Sequence, residues 1–214
     1  MIMTDEHQHK KGTTTVGIIC KGGVVLAADQ LANYGGFKAN TDARKLHKIA
    51  NNMAFTIAGG VGDNQAILRV LEAQLRLYEL EVGQPTVKAA VTLLSNMLSD
   101  KYQYTYHPFS VHNLIGGFDT EPRLYSIDLV GGASPETKFS STGTGMVVSY
   151  GILDAEYKVG ISVDDGIKLA VKSIVAARKR ISSVGGDNIT VFKITAKGVE
   201  EIAPNKSLAI AKNY

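Results

Sequence analysis

The chain contains one cysteine, Cys20, among 214 residues. A single thiol cannot close an internal disulfide and has no second thiol with which to share a metal. A reducing compartment is therefore expected. Charge of one sign is also lacking: 23 basic and 20 acidic side chains leave +3. That balance argues against nucleic acid or an anionic membrane as partner. No apolar run reaches the ~18 residues needed to span a bilayer. The opening residues, MIMTDEHQHKKG, lack the apolar stretch of about 7–15 residues that marks a secretory signal, so a cytoplasmic location is expected. Internal repeats, linkers and low-complexity tracts are absent too, which leaves one domain of the larger kind. With 44% apolar and 20% charged residues, the composition is that of an ordinary globular protein.

Residues 1–12 differ from the rest: they are polar, hold His7 and His9, and end in Lys10-Lys11-Gly12. Two histidines at this spacing do not make a metal site, and no metal or cofactor is expected. Order begins at Thr13. Thr13 to Cys20 is rich in β-branched residues and reads as a strand. Lys21-Gly22-Gly23 signals a turn, and Val24 to Ala28 reads as a strand buried on both faces, closing a hairpin that ends at Asp29. Leu46 to Ile49 and Met53 to Ala58 form a second expected pair around Asn51-Asn52.

From Asp63 the period becomes helical, with Ile67, Val70, Leu71 and Leu75 on one face and a stop near Gly83. A second helix is expected from Thr86 to Lys101, carrying Ala90, Val91, Leu94 and Leu98. Strand signals return at Val111 to Phe118, Arg123 to Leu129 and near Phe139. Another helix pair follows, Val147 to Tyr157 and then a helix opened by the capping-box pair Ser162 and Asp165. The apolar face of that last helix is Ile167, Ala170, Val171, Ile174, Ala177 and Ile181, with Gly185-Gly186 as its stop. Ile189 to Ile194 and Gly198 to Ile202 read as closing strands. Strands, two helices, strands, two helices, strands is not an alternating βαβ order. It predicts an α+β fold: a four-layer α/β/β/α sandwich of two antiparallel sheets flanked by helix pairs.

Six segments, in their order and spacing, resemble the proteasome β subunits, the archaeal ones in particular. They are Gly12 to Gly17, Leu26-Ala27-Ala28-Asp29, Arg44-Lys45-Leu46, Thr56 to Asp63, Leu93 to Leu98, and Ser141-Thr142-Gly143-Thr144-Gly145. The likeness runs from Gly12 to about Ile202. It implies the N-terminal-nucleophile hydrolase fold. It also implies seven-membered β rings inside a four-ring barrel capped by α subunits, and an ATPase ring acting through the α ring. The substrates it implies are unfolded polypeptides entering an enclosed chamber. Residues 1–12 would be a removable prosegment, and residues 13–214 the catalytic domain.

The chemistry so implied follows from simple acid–base reasoning. A threonine hydroxyl is a weak nucleophile until a base takes its proton. An N-terminal threonine carries such a base in its own α-amine, whose pKa of about 7.7–8.0 leaves a useful neutral fraction near pH 7. By the resemblance, Thr13 is the nucleophile and supplies that amine. Lys45 is the neighbouring cation that favours the neutral amine and orients the hydroxyl, and Asp29 pairs with Lys45. The N–H of Gly59 stabilises the oxyanion, and Thr144 stands where the family has a serine. While Gly12 is attached, the amine is an amide. Thr13 must then attack the Gly12 carbonyl, and hydrolysis of the resulting ester frees the enzyme. The matching pocket positions are Ala32, Ala43, His47, Ile57, Val61 and Gln65, an apolar set suited to cleavage after large apolar residues.

The sequence departs from the family near the end of the last long helix. Where the family has Arg-Asp-x-x-Ser-Gly, the run is Arg180-Ile181-Ser182-Ser183-Val184-Gly185-Gly186, so an aspartate becomes Ile181 and a serine Val184. A one-residue slip would bring Ser183 near the serine position. Leu31 and Asn33 also replace family residues (a basic one and a threonine). Three functions follow: a threonine endopeptidase subunit, a structural β-type subunit beside an active paralogue, and a relative using the same amine–hydroxyl pair as an amidase or ligase. The last would need insertions or an added domain, and the sequence has neither.

Overall fold

The computed structural model describes residues 12–34 and 37–214. The expected prosegment, with His7 and His9, lies outside the described residues apart from Gly12. In chain order the elements are β1 (Thr15–Cys20), β2 (Gly23–Asp29), β3 (Ala32–Tyr34), β4 (Phe37–Asn40), β5 (Leu46–Ala50) and β6 (Met53–Thr56). Next come α1 (Val61–Glu81), α2 (Val87–Thr105), β7 (Asn113–Phe118), β8 (Pro122–Ile127), β9 (Ala133–Glu136) and β10 (Phe139–Thr142). The chain closes with α3 (Met146–Glu156), α4 (Val163–Arg180), β11 (Ile189–Thr195), β12 (Gly198–Glu201) and α5 (Pro204–Ala211). Two five-stranded sheets result, β10-β1-β2-β11-β12 and β5-β6-β7-β8-β9, while β3 and β4 form a small ribbon of their own. Neighbouring strands are antiparallel throughout.

The layers follow from which way side chains point along β2. Alternate residues face opposite sides of a strand, and every residue of β2 is buried. Val24, Leu26 and Ala28 point between the sheets, where they meet Leu46, Ala54, Leu114, Leu124 and Phe192. Val25 and Ala27 point the other way, against Ile167, Ala170 and Ile174 of α4. Across the second sheet, Met53, Phe55 and Ile115 pack on Ile67, Leu71, Leu94 and Leu98 of α1 and α2. These three apolar interlayers define the α/β/β/α order. Each large side chain sealed within them, such as Leu26 or Leu114, contributes about 1.5–3 kcal/mol of burial.

The main elements agree with the sequence pattern, and the differences have physical reasons. Val70 was expected on the core face of α1 but is exposed; the buried stripe there is Ile67, Leu68, Leu71 and Leu75. Helix α4 opens as expected, Ser162 Oγ accepting from the Asp165 N–H at 3.1 Å. It stops at Arg180, ahead of the expected Gly185-Gly186, and Ile181 adopts an extended conformation as its C-cap. Ile181 is half-buried and ends the apolar face without continuing it. The strands β3, β4 and β9 and the helix α5 carried no clear periodic signal, being short and largely exposed or polar. Among the described residues, no helix is long and apolar enough to cross a membrane.

Candidate active site

The two sheets leave a cleft at one end, and four chain segments converge there. Thr13 immediately precedes β1, and Asp29 is the last residue of β2 beside it. Lys45 leads into β5 of the opposite sheet, and the Ile57 N–H ties down its carbonyl at 2.8 Å. Gly59 follows β6 and bridges Val111. The cleft encloses about 380 Å³ and is lined by Gly12, Thr13, Lys45 and Gly59 together with all six expected pocket residues, Ala32, Ala43, His47, Ile57, Val61 and Gln65. The sequence-predicted residues are thus brought together around one space.

Thr13 is the threonine of its run that faces the cleft. Thr15 Oγ1 is engaged with Thr142 Oγ1 at 2.6 Å inside the sheet, and Thr14 Oγ1 is buried without a partner among the described residues. The Thr13 hydroxyl donates to the Gly12 carbonyl oxygen at 2.7 Å. The Lys45 ammonium donates to that same oxygen at 3.2 Å, and also to Asp29 Oδ1 at 2.9 Å and to the Leu31 carbonyl at 2.7 Å. Gly12 is the residue the space allows, because a Cβ there would lie 1.7 Å from the Ser183 carbonyl oxygen.

Asp29 holds the centre. Its Oδ1 accepts from Lys45 and from the Thr14 N–H at 2.8 Å; its Oδ2 accepts from the Leu31 N–H at 3.2 Å and the Gly185 N–H at 3.0 Å. Four donors on one carboxylate fill its capacity, which is what lets a fully buried charge exist. Lys45 is only 6% exposed against 0% for Asp29. Burial pulls the Lys45 pKa below its usual value, more than Asp29 restores it, and Arg178 pushes in the same downward direction as burial. His47, half-buried in the cleft wall, is also lowered, chiefly by burial.

Gly59 has φ of +101°, and a Cβ there would lie 2.1 Å from the Ser110 carbonyl oxygen. In the antiparallel bridge the ladder bonds belong to its neighbours, Gly60 N–H to Ser110 O and His112 N–H to Ala58 O. The Gly59 N–H is therefore left out of the ladder. The turn is fixed from beneath by two buried amides that the sequence pattern did not single out. Asn64 donates to the Ala58 and Gly60 carbonyls, and Asn113 donates to Asn64 Oδ1 and the Thr56 carbonyl. The one cue was Asn64 at the start of a helix, directly after the Gly-rich turn.

Thr144 sits on the other side of Thr13, its Oγ1 3.4 Å from both the Thr13 nitrogen and the Thr13 carbonyl oxygen. Ser183 Oγ lies 3.1 Å from Thr144 Oγ1. Ser183 thus reaches the site, while Val184 is buried with the apolar residues. Asn33 also takes part, donating to the Ser183 carbonyl at 3.0 Å. Among the described residues, no cluster of three or more His, Cys, Asp or Glu could hold a metal ion.

Such an arrangement can present a hydroxyl to a carbonyl, with a cation close by and the Gly59 N–H outside the ladder. The profile of the proteasome subunit family matches residues 9–194. A proteasome subunit beta of Archaeoglobus profundus is 45% identical over 205 residues, covering 94% of each chain. A proteasome subunit beta 2 of Pyrococcus furiosus is 46% identical over 192 residues, 89% of this chain and 91% of that one. A proteasome subunit beta of Methanohalophilus mahii is 41% identical over 211 residues, 98% and 99% of the two. The order of elements, the convergence on Thr13 and these full-length matches agree, and this chain belongs to the proteasome subunit family.

Proposed function

We propose that the chain is a catalytic β subunit of a 20S-type proteasome core particle, a threonine endopeptidase that degrades unfolded polypeptides after cleaving itself between Gly12 and Thr13. The observation that carries this reading is the Gly12 carbonyl, contacted at once by the Thr13 hydroxyl at 2.7 Å and the Lys45 ammonium at 3.2 Å. A cation on the carbonyl oxygen makes the carbon more electrophilic, and the hydroxyl is held against the same carbonyl group.

In self-cleavage, Thr13 Oγ bonds to the Gly12 carbon while its proton leaves the hydroxyl. The C–N bond then breaks, and Thr13 N takes up a proton to become a free amine. The ester between Gly12 and Thr13 Oγ is hydrolysed by water, giving the Gly12 carboxylate and regenerating the hydroxyl. The freed amine then serves as the base for substrate peptides. Thr144 and Ser183 would hold that amine, Asp29 would hold Lys45, and the Gly59 N–H would receive the oxyanion. The apolar cleft around Ile57, Ala32 and Ala43 favours cleavage after large apolar residues. Assembly with α subunits and other β subunits in a four-ring barrel, an ATPase ring at its ends and a cytoplasmic setting complete the reading. No nucleic acid, membrane or cofactor has a part in it.

A structural β-type subunit is the second reading. It is favoured by Ile181, an apolar residue where the family carries the aspartate. Intact mass decides between them after co-expression with the α-type partner and isolation of the barrel. Loss of residues 1–12 in the wild type, with retention in Thr13→Ala, is the expected result. Retention of residues 1–12 in fully assembled wild-type barrels would sink the catalytic reading.

A further inference from the structure

Helix α4 ends in three basic residues, Arg178, Lys179 and Arg180. Cations are favoured at a helix C-terminus by the partial negative charge there, and Lys179 and Arg180 stay exposed. Arg178 behaves differently. Its guanidinium turns inward, and Nη2 donates to the carbonyls of Gly185 at 3.1 Å and of Asn188. Neither carbonyl belongs to α4. Its Nε is buried with no acceptor among the described residues. A desolvated cation with an unpaired N–H costs stability, so capping the helix does not account for it.

What Arg178 grips is the loop 181–188, and that loop supplies two groups to the site. The Gly185 N–H donates to Asp29 Oδ2 at 3.0 Å, and Ser183 Oγ meets Thr144 at 3.1 Å. On its other side the loop is latched to Gln30, whose N–H donates to Gly185 O at 2.9 Å and whose Oε1 accepts from the Asn188 N–H at 2.9 Å. Gly185 O is therefore shared between Arg178 and the backbone next to Asp29. Both bonds leave one nitrogen, Nη2, whose position is set by the planar guanidinium at the end of a longer side chain than a lysine's.

We propose that Arg178 is a positioning residue of this site, clamping loop 181–188 onto the end of β2 and placing a fixed positive charge behind the Asp29–Lys45 pair. It gives the chain a means of holding the site together where Ile181 offers no carboxylate. The inference rests on the proteolytic reading above. Among the described residues two charged groups act on Lys45: Asp29 at the end of β2 favours its ammonium, and Arg178 at the end of α4 disfavours it. Arg178 in turn faces Asp29 and Asp187. Removing the guanidinium therefore loosens the loop and also raises the affinity of Lys45 for its proton.

The test uses the full chain co-expressed with its α-type partner, with self-cleavage followed by intact mass from pH 6 to 9 in wild type, Arg178→Met and Arg178→Lys. Arg178→Met is expected to slow self-cleavage on the order of tenfold or more, as misplacement of a catalytic group does, and to move the pH–rate profile to higher pH. Arg178→Lys keeps the charge but loses the reach and planar rigidity that place Nη2 between the two carbonyls, so an intermediate rate with an unmoved profile is expected. Wild-type rates in both variants would overturn the proposal. So would a slower Arg178→Met whose profile does not move, since a purely structural role lowers yield and amplitude alone. If Arg178→Met does not fold, Arg178→Lys decides: slowing supports the clamp and a wild-type rate refutes it. A wild type that never loses residues 1–12 would sink the proteolytic reading itself, which differs from a wild type that matures alongside equally competent variants.

Discussion

Replacing Asp29 by asparagine in the Thr13→Ala chain, in which the proposed self-cleavage has no nucleophile, isolates the central interaction. The side chain is nearly isosteric, so packing is preserved. The four donors that Asp29 accepts, Lys45 Nζ and the N–H groups of Thr14, Leu31 and Gly185, would then face one oxygen and one NH2 group. Two lose their acceptor and meet another donor. Each unsatisfied buried donor costs about 1–3 kcal/mol, and breaking a buried ion pair on one side costs about 3–5 kcal/mol. These overlap, so a loss of about 3–5 kcal/mol near pH 6.5 is expected. In urea, with a slope of about 1–3 kcal/mol per molar, the midpoint falls by about 1–5 M.

The loss should depend on pH. Burial already lowers the Lys45 pKa in the folded chain, and Asp29 opposes that shift. In D29N the opposing charge is gone, so the folded value drops further below the unfolded value of about 10.4. Below the folded value both states hold the proton, and the full penalty applies. Between the two values the unfolded chain binds more protons, so stability rises with pH, by at most about 1.4 kcal/mol per unit. Part of the D29N deficit is thus recovered as pH rises from 6.5 to 9.5, measured by circular dichroism at each pH with constant slope. A deficit under about 1 kcal/mol, or one that does not change with pH, would refute this account of the buried pair.

Gly59→Ala places a methyl group 2.1 Å from the Ser110 carbonyl oxygen at φ of +101°. Strain of about 1–3 kcal/mol is expected; alanine keeps the N–H, so the loss comes from shifting the turn that aims it, and peptide hydrolysis is expected to fall on the order of 10²-fold; a peptidase rate within threefold of wild type would show that the reaction does not depend on the position of this turn. Ser183→Ala deletes a single hydrogen bond to Thr144, worth about 0.5–1.5 kcal/mol, so a drop in peptidase rate of about 2- to 10-fold is expected, and an unchanged rate would leave Ser183 a bystander. Gly12→Ala meets the Ser183 carbonyl at 1.7 Å and should leave residues 1–12 uncleaved for longer in an intact-mass time course; maturation at the wild-type rate would show that the loop yields freely.

The hairpin of β1 and β2, the two helix pairs and the layered fold were legible in the sequence, because each rests on a local period that burial then enforces. The β-branched run from Thr13, the continuous apolar run from Val24 and the 3.6-residue stripes of Ile67 and Ile167 needed no distant information. That Thr13, Asp29, Lys45 and Gly59 would meet was an expectation from the family resemblance of their segments, and the structure places all four at or beside one cleft. Short exposed strands such as Phe37–Asn40 escaped, since nothing buries them strongly enough to impose a pattern. The tertiary structure alone decided that Ser183 meets Thr144 while Val184 turns to the core, because α4 ends at Arg180 and the loop beyond it has no period to follow. It alone decided that Asn64 and Asn113 hold the Gly59 turn, and that one of three adjacent basic residues points inward. Hydrogen bonds between residues far apart in the chain leave no local trace. Sequence can say which groups are available, and only the packing of α4, β2 and β11 around the cleft says which of them meet.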